Sequence, residues 1–211
     1  SPVIVRQLEK LHVPRETYDA IVTSGDVTRS VIETRPHQSL YHLGPERDRT
    51  IFTDMGMTVT FAPLETADYV VCSGLDDDDL NTPEDYRPQL ELMIRRKLFM
   101  VCGNPDMVVE RGDRIVYCAG SVADLYATLG GEVLYAGKPF KPIYDMALAK
   151  AEAALGRKVP RNRVLAIGDS VRTDLRGAHT AGVDFLFITS GIHAEELGGR
   201  ERPDAKALNS V

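Results

Sequence analysis

A net charge of −6 over 211 residues, with no block rich in Lys or Arg, lacks the basic footprint that nucleic acid or an anionic membrane requires. With 43% hydrophobic, 27% charged and 7% aromatic residues, the composition is that of a folded globular chain, long enough for one large domain or two modest ones. No apolar run approaches the ~20 residues of a membrane span, the start Ser1-Pro-Val-Ile-Val-Arg6 reads as no signal peptide, and Cys72, Cys102 and Cys118 lack metal-site spacing, so they read as buried thiols of a cytoplasmic protein.

Ile4, Leu8 and Leu11 recur at helical spacing from Pro2 to Leu11, and His12-Val13-Pro14 ends that helix. Asp19–Ser24 reads as a short buried strand, followed by a helix over Val27–Ile32. Strands are then expected at Leu40–Gly44, Val59–Phe61, Ala67–Cys72, Lys97–Cys102 and Arg114–Cys118, with helices at Pro83–Arg96 and Ser121–Leu129. This stretch reads as an inserted α/β module. Beyond it come a strand at Glu132–Ala136 and a helix at Pro142–Leu155 with Ile143, Met146, Ala147 and Leu155 available to face a core. A strand at Val164–Ile167, a helix at Asp174–Ala181 closed by Gly182, and a last strand at Asp184–Ile188 complete the series. Alternating short apolar strands and helices predict an α/β fold with a doubly wound parallel sheet, in which ligands sit outside the carboxyl ends of the strands.

Those ends carry the chemistry. In Val164-Leu-Ala-Ile-Gly168-Asp169-Ser170-Val-Arg-Thr173-Asp174, Gly168 permits a tight turn, Asp169 projects from the strand end and Asp174 enters the first turn of the next helix. Two such carboxylates suit a hard divalent cation, Asp169 as direct ligand and Asp174 acting directly, through water or by orienting the loop. Read blandly, Asp174 is a helix N-terminal acid favoured by the macrodipole and Asp169 a turn residue. Tyr135-Ala-Gly137-Lys138-Pro139 places a lysine where it can neutralise a phosphoryl oxygen, although an isolated Gly-Lys-Pro is more often a surface loop. Asn104 and Asp106 either contact a substrate or fix an Asn-Pro-Asp turn. The run Asp76–Asp79 reads as a solvated loop capping the helix that starts near Pro83, and the five histidines have no zinc spacing, each reading as structural or exposed.

Lysine and Gly-Asp, one helix apart, resemble the third and fourth motifs of haloacid dehalogenase (HAD) superfamily phosphatases. Ile21-Val-Thr-Ser24, Gly103-Asn-Pro-Asp106, Cys118-Ala-Gly120-Ser121, Gly130-Gly-Glu-Val133 and Ile188-Thr-Ser-Gly191 extend the likeness along the chain. They resemble subclass IIA, with a large C2-type α/β cap, similar to NagD-type and pyridoxal-phosphate phosphatases. The resemblance implies a Rossmann-like core at residues 1–33 and 132–211 with an α/β cap at 34–131. It implies a Mg²⁺-dependent phosphatase acting on a small phosphorylated metabolite (a sugar phosphate, nucleotide or cofactor phosphate), with Asp169 and Asp174 at the metal and Lys138 as the catalytic cation. In that family a strand bearing Asp-x-Asp-Gly supplies the nucleophile, and the register puts Ser1 just past the second motif. The chain as given is therefore expected to be inactive by itself, the aspartyl-phosphate forming on a residue outside it. Alternatives are a non-catalytic fragment or binding module that keeps the metal site, or another HAD-type hydrolase or phosphotransferase. The resemblance also admits a homodimer, since caps of this kind often pair subunits.

Overall fold

In the computed structural model, which describes residues 2–208, the chain divides into two compact units, residues 22–137 and residues 2–21 with 138–208. The expected ends of the core at residues 1 and 211 lie outside the described residues. Helix α1 (Pro2–Lys10) opens the chain. The strand expected at Asp19–Ser24 is not formed: residues 19–23 join no ladder, and Thr23 instead caps α2 (Ser24–Glu33). Its amide donates to the Asp26 carboxylate at 2.8 Å, and its hydroxyl oxygen accepts from the Asp26 amide at 3.1 Å. This reciprocal cap satisfies two orphan donors of the helix start, so Thr23 and Asp26 fix where α2 begins, and residues 19–23 lead into it as irregular chain.

Five parallel strands form the sheet of the first unit: β1 (Ser39–Leu43), β2 (Thr60–Phe61), β3 (Tyr69–Cys72), β4 (Phe99–Cys102) and, after a separate hairpin of β5 (Val108–Arg111) and β6 (Arg114–Tyr117), β7 (Glu132–Tyr135). Their order is β2-β1-β3-β4-β7. All four residues of β3 are buried, as a central strand covered on both faces demands. α3 (Arg87–Arg96) turns Leu90 and Met93 inward and ends at Lys97 in the left-handed conformation. α4 (Ala119–Thr128) contributes Val122, Ala123 and Tyr126 to the same core as Val70, Cys72, Met100 and Cys102. The second core layer gathers Ile32, Leu40, Tyr69, Val71 and Val101 on the opposite face. Cys72, Cys102 and Cys118 are free and buried, and burial pushes the Cys102 thiol up to about 12. β7 is hydrogen-bonded to β4, so it belongs to the sheet of residues 22–137.

Tyr126 is 1% exposed, and its hydroxyl donates to the Leu98 carbonyl at 2.6 Å. Tyr126→Phe is expected to leave that carbonyl without its donor and to lower stability by about 1 kcal/mol, read as a reduced midpoint of urea unfolding at unchanged m-value.

The second unit carries α5 (Lys141–Leu155), β8 (Leu165–Gly168), α6 (Arg176–Ala181), β9 (Asp184–Phe187) and α7 (Ala205–Leu208), with β8 and β9 parallel. α5 departs from expectation: Ile143 and Met146 are half-buried, but Ala147 and Leu155 are exposed. Its close contact is made by Tyr144, whose ring fills the space left by Gly177 of α6, where a Cβ would meet the Tyr144 hydroxyl. Gly182 ends α6 at φ 67, the left-handed position anticipated from its place in the sequence. Among the described residues no helix is long and apolar enough to cross a membrane.

Candidate functional site

β8 delivers Gly168 and Asp169 to its carboxyl end, and the chain then makes a single π-helical turn, Val171–Leu175, before α6. The Leu175 amide reaches back to the Ser170 carbonyl at 3.0 Å. Such turns recur where a helix is distorted for function. Here the extra residue brings Asp174, 8% exposed, back beneath the strand end. Its Oδ2 accepts from the amides of Asp169 and Ser170, both at 3.1 Å, and its Oδ1 accepts from Lys138 Nζ at 2.5 Å. Gly168 is required by this packing, because a Cβ there would stand 2.3 Å from Asp174 Oδ2.

Both oxygens of Asp174 are thus engaged by protein donors. These contacts orient the loop, one of the three roles open to Asp174 from sequence. Lys138 spends one of its three N–H donors on Asp174, and its side chain is half exposed, so the ammonium keeps donors for a ligand.

Asp169 is placed differently. Its Oδ2 accepts from the Ile192 amide at 3.1 Å, and a Cβ on Gly191 would stand 2.1 Å from that oxygen. Among the described residues Oδ1 has no partner, which leaves a carboxylate oxygen of fixed direction at the strand end. An all-oxygen donor with open neighbouring positions fits a hard divalent cation that keeps several of its own waters.

Lys138, Asp169 and Asp174 are therefore brought together within one unit. Asn104 and Asp106 belong to the other. Asn104 Oδ1 accepts from the Asp106 amide at 3.2 Å, and the Asp106 carbonyl accepts from the Gly120 amide at 3.1 Å. The side chain of Asn104 closes its own turn against the start of α4, where a Cβ on Gly120 would collide with the Pro105 carbonyl.

The acidic run does not cap the helix at Pro83 as expected. Thr82 does so, its amide and hydroxyl both donating to the Asp85 carboxylate. Asp77, Asp78 and Asp79 place carboxylate oxygens within 4.8 Å of one another, but arginines pair with two of them, and Asp77 accepts from the Asp79 and Leu80 amides. Asp78 pairs with Arg47 at 2.7 Å and Arg111 at 2.6 Å, and Asp79 with Arg114 at 3.1 Å. Arg111 and then Arg47 hold the Asp78 carboxyl down to about 2.

Three residues around the site make contacts that the sequence did not assign to them. Ser170 Oγ accepts from the Thr173 amide at 3.2 Å, Gly191 makes room for Asp169, and His193 Nε2 accepts from the Val171 amide at 3.4 Å. Ser170 has a capping signal three residues before Thr173, whereas nothing local to His193 announces its contact with Val171.

The geometry defines a class: an α/β chain with a lysine-braced acidic site at the carboxyl end of a parallel strand. Residues 135–211 match the HAD-hydrolase-like family model. A hydrolase of the haloacid dehalogenase-like family from Brucella suis superposes with a TM-score of 0.79 at 43% identity, covering 98% of this chain and 75% of that one. The 4-nitrophenylphosphatase of Thermotoga maritima superposes with a TM-score of 0.66 at 27% identity, covering 96% of this chain and 74% of that one. The acid sugar phosphatase of Staphylococcus haemolyticus is 22% identical over 201 residues, 94% of this chain and 72% of that protein. The chain belongs to the haloacid dehalogenase-like family.

Proposed function

We propose that this chain serves a Mg²⁺-dependent phosphatase that hydrolyses a small phosphate monoester. The observation that carries the reading is the difference between the two carboxylates: Asp174 accepts from Lys138 and two amides with both its oxygens, and Asp169 keeps Oδ1 free. Asp169 would hold the cation, which when bound supplies positive charge to offset that of the phosphoryl group. Lys138 meets the same anion from the protein side, directing its remaining N–H donors at phosphoryl oxygens while Asp174 fixes its direction. Asp174 also holds the amides of Asp169 and Ser170, so the loop needs no rearrangement when charge develops. The nucleophile is assigned by family resemblance to an Asp-x-Asp-Gly strand. Sugar phosphates lead among the substrates, supported by the names of the acid sugar phosphatases that resemble the chain.

The test is hydrolysis of an aryl phosphate and of a panel of sugar phosphates by the chain, and by a version extended at its N-terminus to the length of the Brucella suis relative. Chelation is expected to lower turnover of the active version by about 100-fold or more, with recovery on adding Mg²⁺, because charge stabilisation at the phosphoryl group is worth several kcal/mol. Turnover indifferent to chelator, or none in the extended version, would sink the proposal.

A further inference from the structure

We infer that His193, oriented by Glu196, is a positioning residue that sets the direction of Asp169 and thereby the affinity of the site for a divalent cation. The inference rests on the reading of Asp169 as the cation's ligand.

Four amides of the turn after β8 donate to side-chain acceptors. Those of Asp169 and Ser170 go to Asp174, that of Thr173 goes to Ser170 Oγ, and that of Val171 goes to His193 Nε2. The first three acceptors lie within the turn itself. The fourth is delivered from a different segment, twenty-two residues further along the chain. That segment touches the turn a second time, one residue earlier, through the Ile192 amide on Asp169 Oδ2. Residues 192 and 193 thus grip residues 169 and 171 at two points. The single donor that Asp169 Oδ2 accepts from belongs to a backbone whose position His193 helps to fix.

The imidazole is itself held. A backbone N–H can only donate, so Nε2 carries the lone pair and Nδ1 the proton. That proton is directed at Glu196 Oε2, 2.9 Å away. The side chain of His193 is 15% exposed, and its ring lies 6.3 Å, centroid to centroid, from that of Phe187 on β9. Fixing one ring nitrogen through the other is how proteins orient an imidazole that must present a lone pair. The partners behind a metal ligand set its direction, and their loss costs about 10- to 100-fold in metal affinity. Without the His193 acceptor, the Val171 amide is orphaned and the two-point grip becomes a one-point contact.

The test is calorimetric titration of the chain with Mn²⁺, so that binding is read and turnover is not. His193→Phe keeps a ring against Phe187 but offers no acceptor, and is expected to bind Mn²⁺ about 10-fold more weakly. His193→Gln restores an acceptor and is expected to recover most of that loss. Glu196→Ala, at a side chain 72% exposed and therefore safe for folding, is expected to weaken binding by a smaller factor, about 3-fold at the low edge of such effects. Asp169→Asn is the control that abolishes binding, and metal-free melting curves establish that each variant is folded. If His193→Phe binds like the wild type while Asp169→Asn does not bind, the inference is overturned and the Asp169 reading stands. Equal losses in His193→Phe and His193→Gln would also overturn it, because the acceptor would then be irrelevant. Unchanged affinity in Glu196→Ala removes Glu196 from the device. Should Asp169→Asn bind like the wild type, the cation is elsewhere and both readings fail.

Discussion

Replacing Asp169 by Asn is expected to reduce Mg²⁺-dependent turnover of the extended protein by about 1000-fold while leaving the fold intact. The side chains are isosteric, and one oxygen suffices to accept from the Ile192 amide at Oδ2. Once that oxygen is committed, the position now held by the free Oδ1 must be an NH₂ group, a donor that repels a cation. Turning the amide over gives the cation an oxygen but sets NH₂ against the Ile192 N–H. Either arrangement removes the negative charge that offsets part of a cation's dehydration. Deleting an electrostatic stabiliser of the transition state costs about 100- to 1000-fold in turnover, and loss of the cation's contribution sets the upper part of that range. The measurement is kcat across a Mg²⁺ titration, accompanied by urea unfolding. Retained turnover at ordinary Mg²⁺ would remove Asp169 from the site, and unfolding of the variant would assign it a structural role instead.

The residues that announce the site do so because their chemistry is local to strand ends. Gly168-Asp169 follows an apolar strand, Lys138 follows another, and the spacing to Asp174 is short enough for one helical turn to return it. The strands of the larger sheet were legible for a related reason: Tyr69–Cys72 and Phe99–Cys102 are short continuous apolar runs, the pattern of strands covered on both faces. Asp19–Ser24 has a similar apolar look and is no strand, since a ladder is a pairing of two segments and residues 19–23 meet no partner strand before the Thr23–Asp26 cap starts α2. Val108–Arg111 went unread as a strand because all four of its residues are exposed and no alternation marks its inner face. The π turn depends on Ser170, Asp174 and Lys138 acting together, and Asp174 at its second-last position looks from sequence like an ordinary helix-start acid. His193 lies beyond any local reading, as its partner amide is twenty-two residues away and a lone histidine carries no spacing signal.

Asp174→Ala is expected to be costly to stability and activity at once. The carboxylate accepts from two amides and an ammonium, and at 8% exposure little water can replace it. Orphaning the Asp169 and Ser170 amides costs about 1–3 kcal/mol each when neither can relax to solvent. The turn lies at a strand end and can open, so a total loss of about 3 kcal/mol is expected, read by urea unfolding. The lysine pair adds little to that sum, because the Lys138 side chain is half exposed and screened. Turnover should fall by about 1000-fold, since Lys138 loses its direction and the Asp169 amide loses the acceptor that anchors its backbone. Asp174→Asn separates the two effects. Its single oxygen can serve the amides or the lysine, and its NH₂ must face whichever donor is left. If the oxygen stays with the amides, stability is largely kept and Lys138 faces a repelling donor. Turnover then falls without unfolding. In the Asp174→Asn background, Lys138→Met removes that repelled ammonium, so its effect on stability should be neutral or favourable, whereas in the wild type it strips Asp174 of its counter-ion and is unfavourable. The sign reversal is a coupling that additive, independent side chains do not produce. Equal effects of Lys138→Met in the two backgrounds would show that the Lys138–Asp174 pair is not what organises the turn.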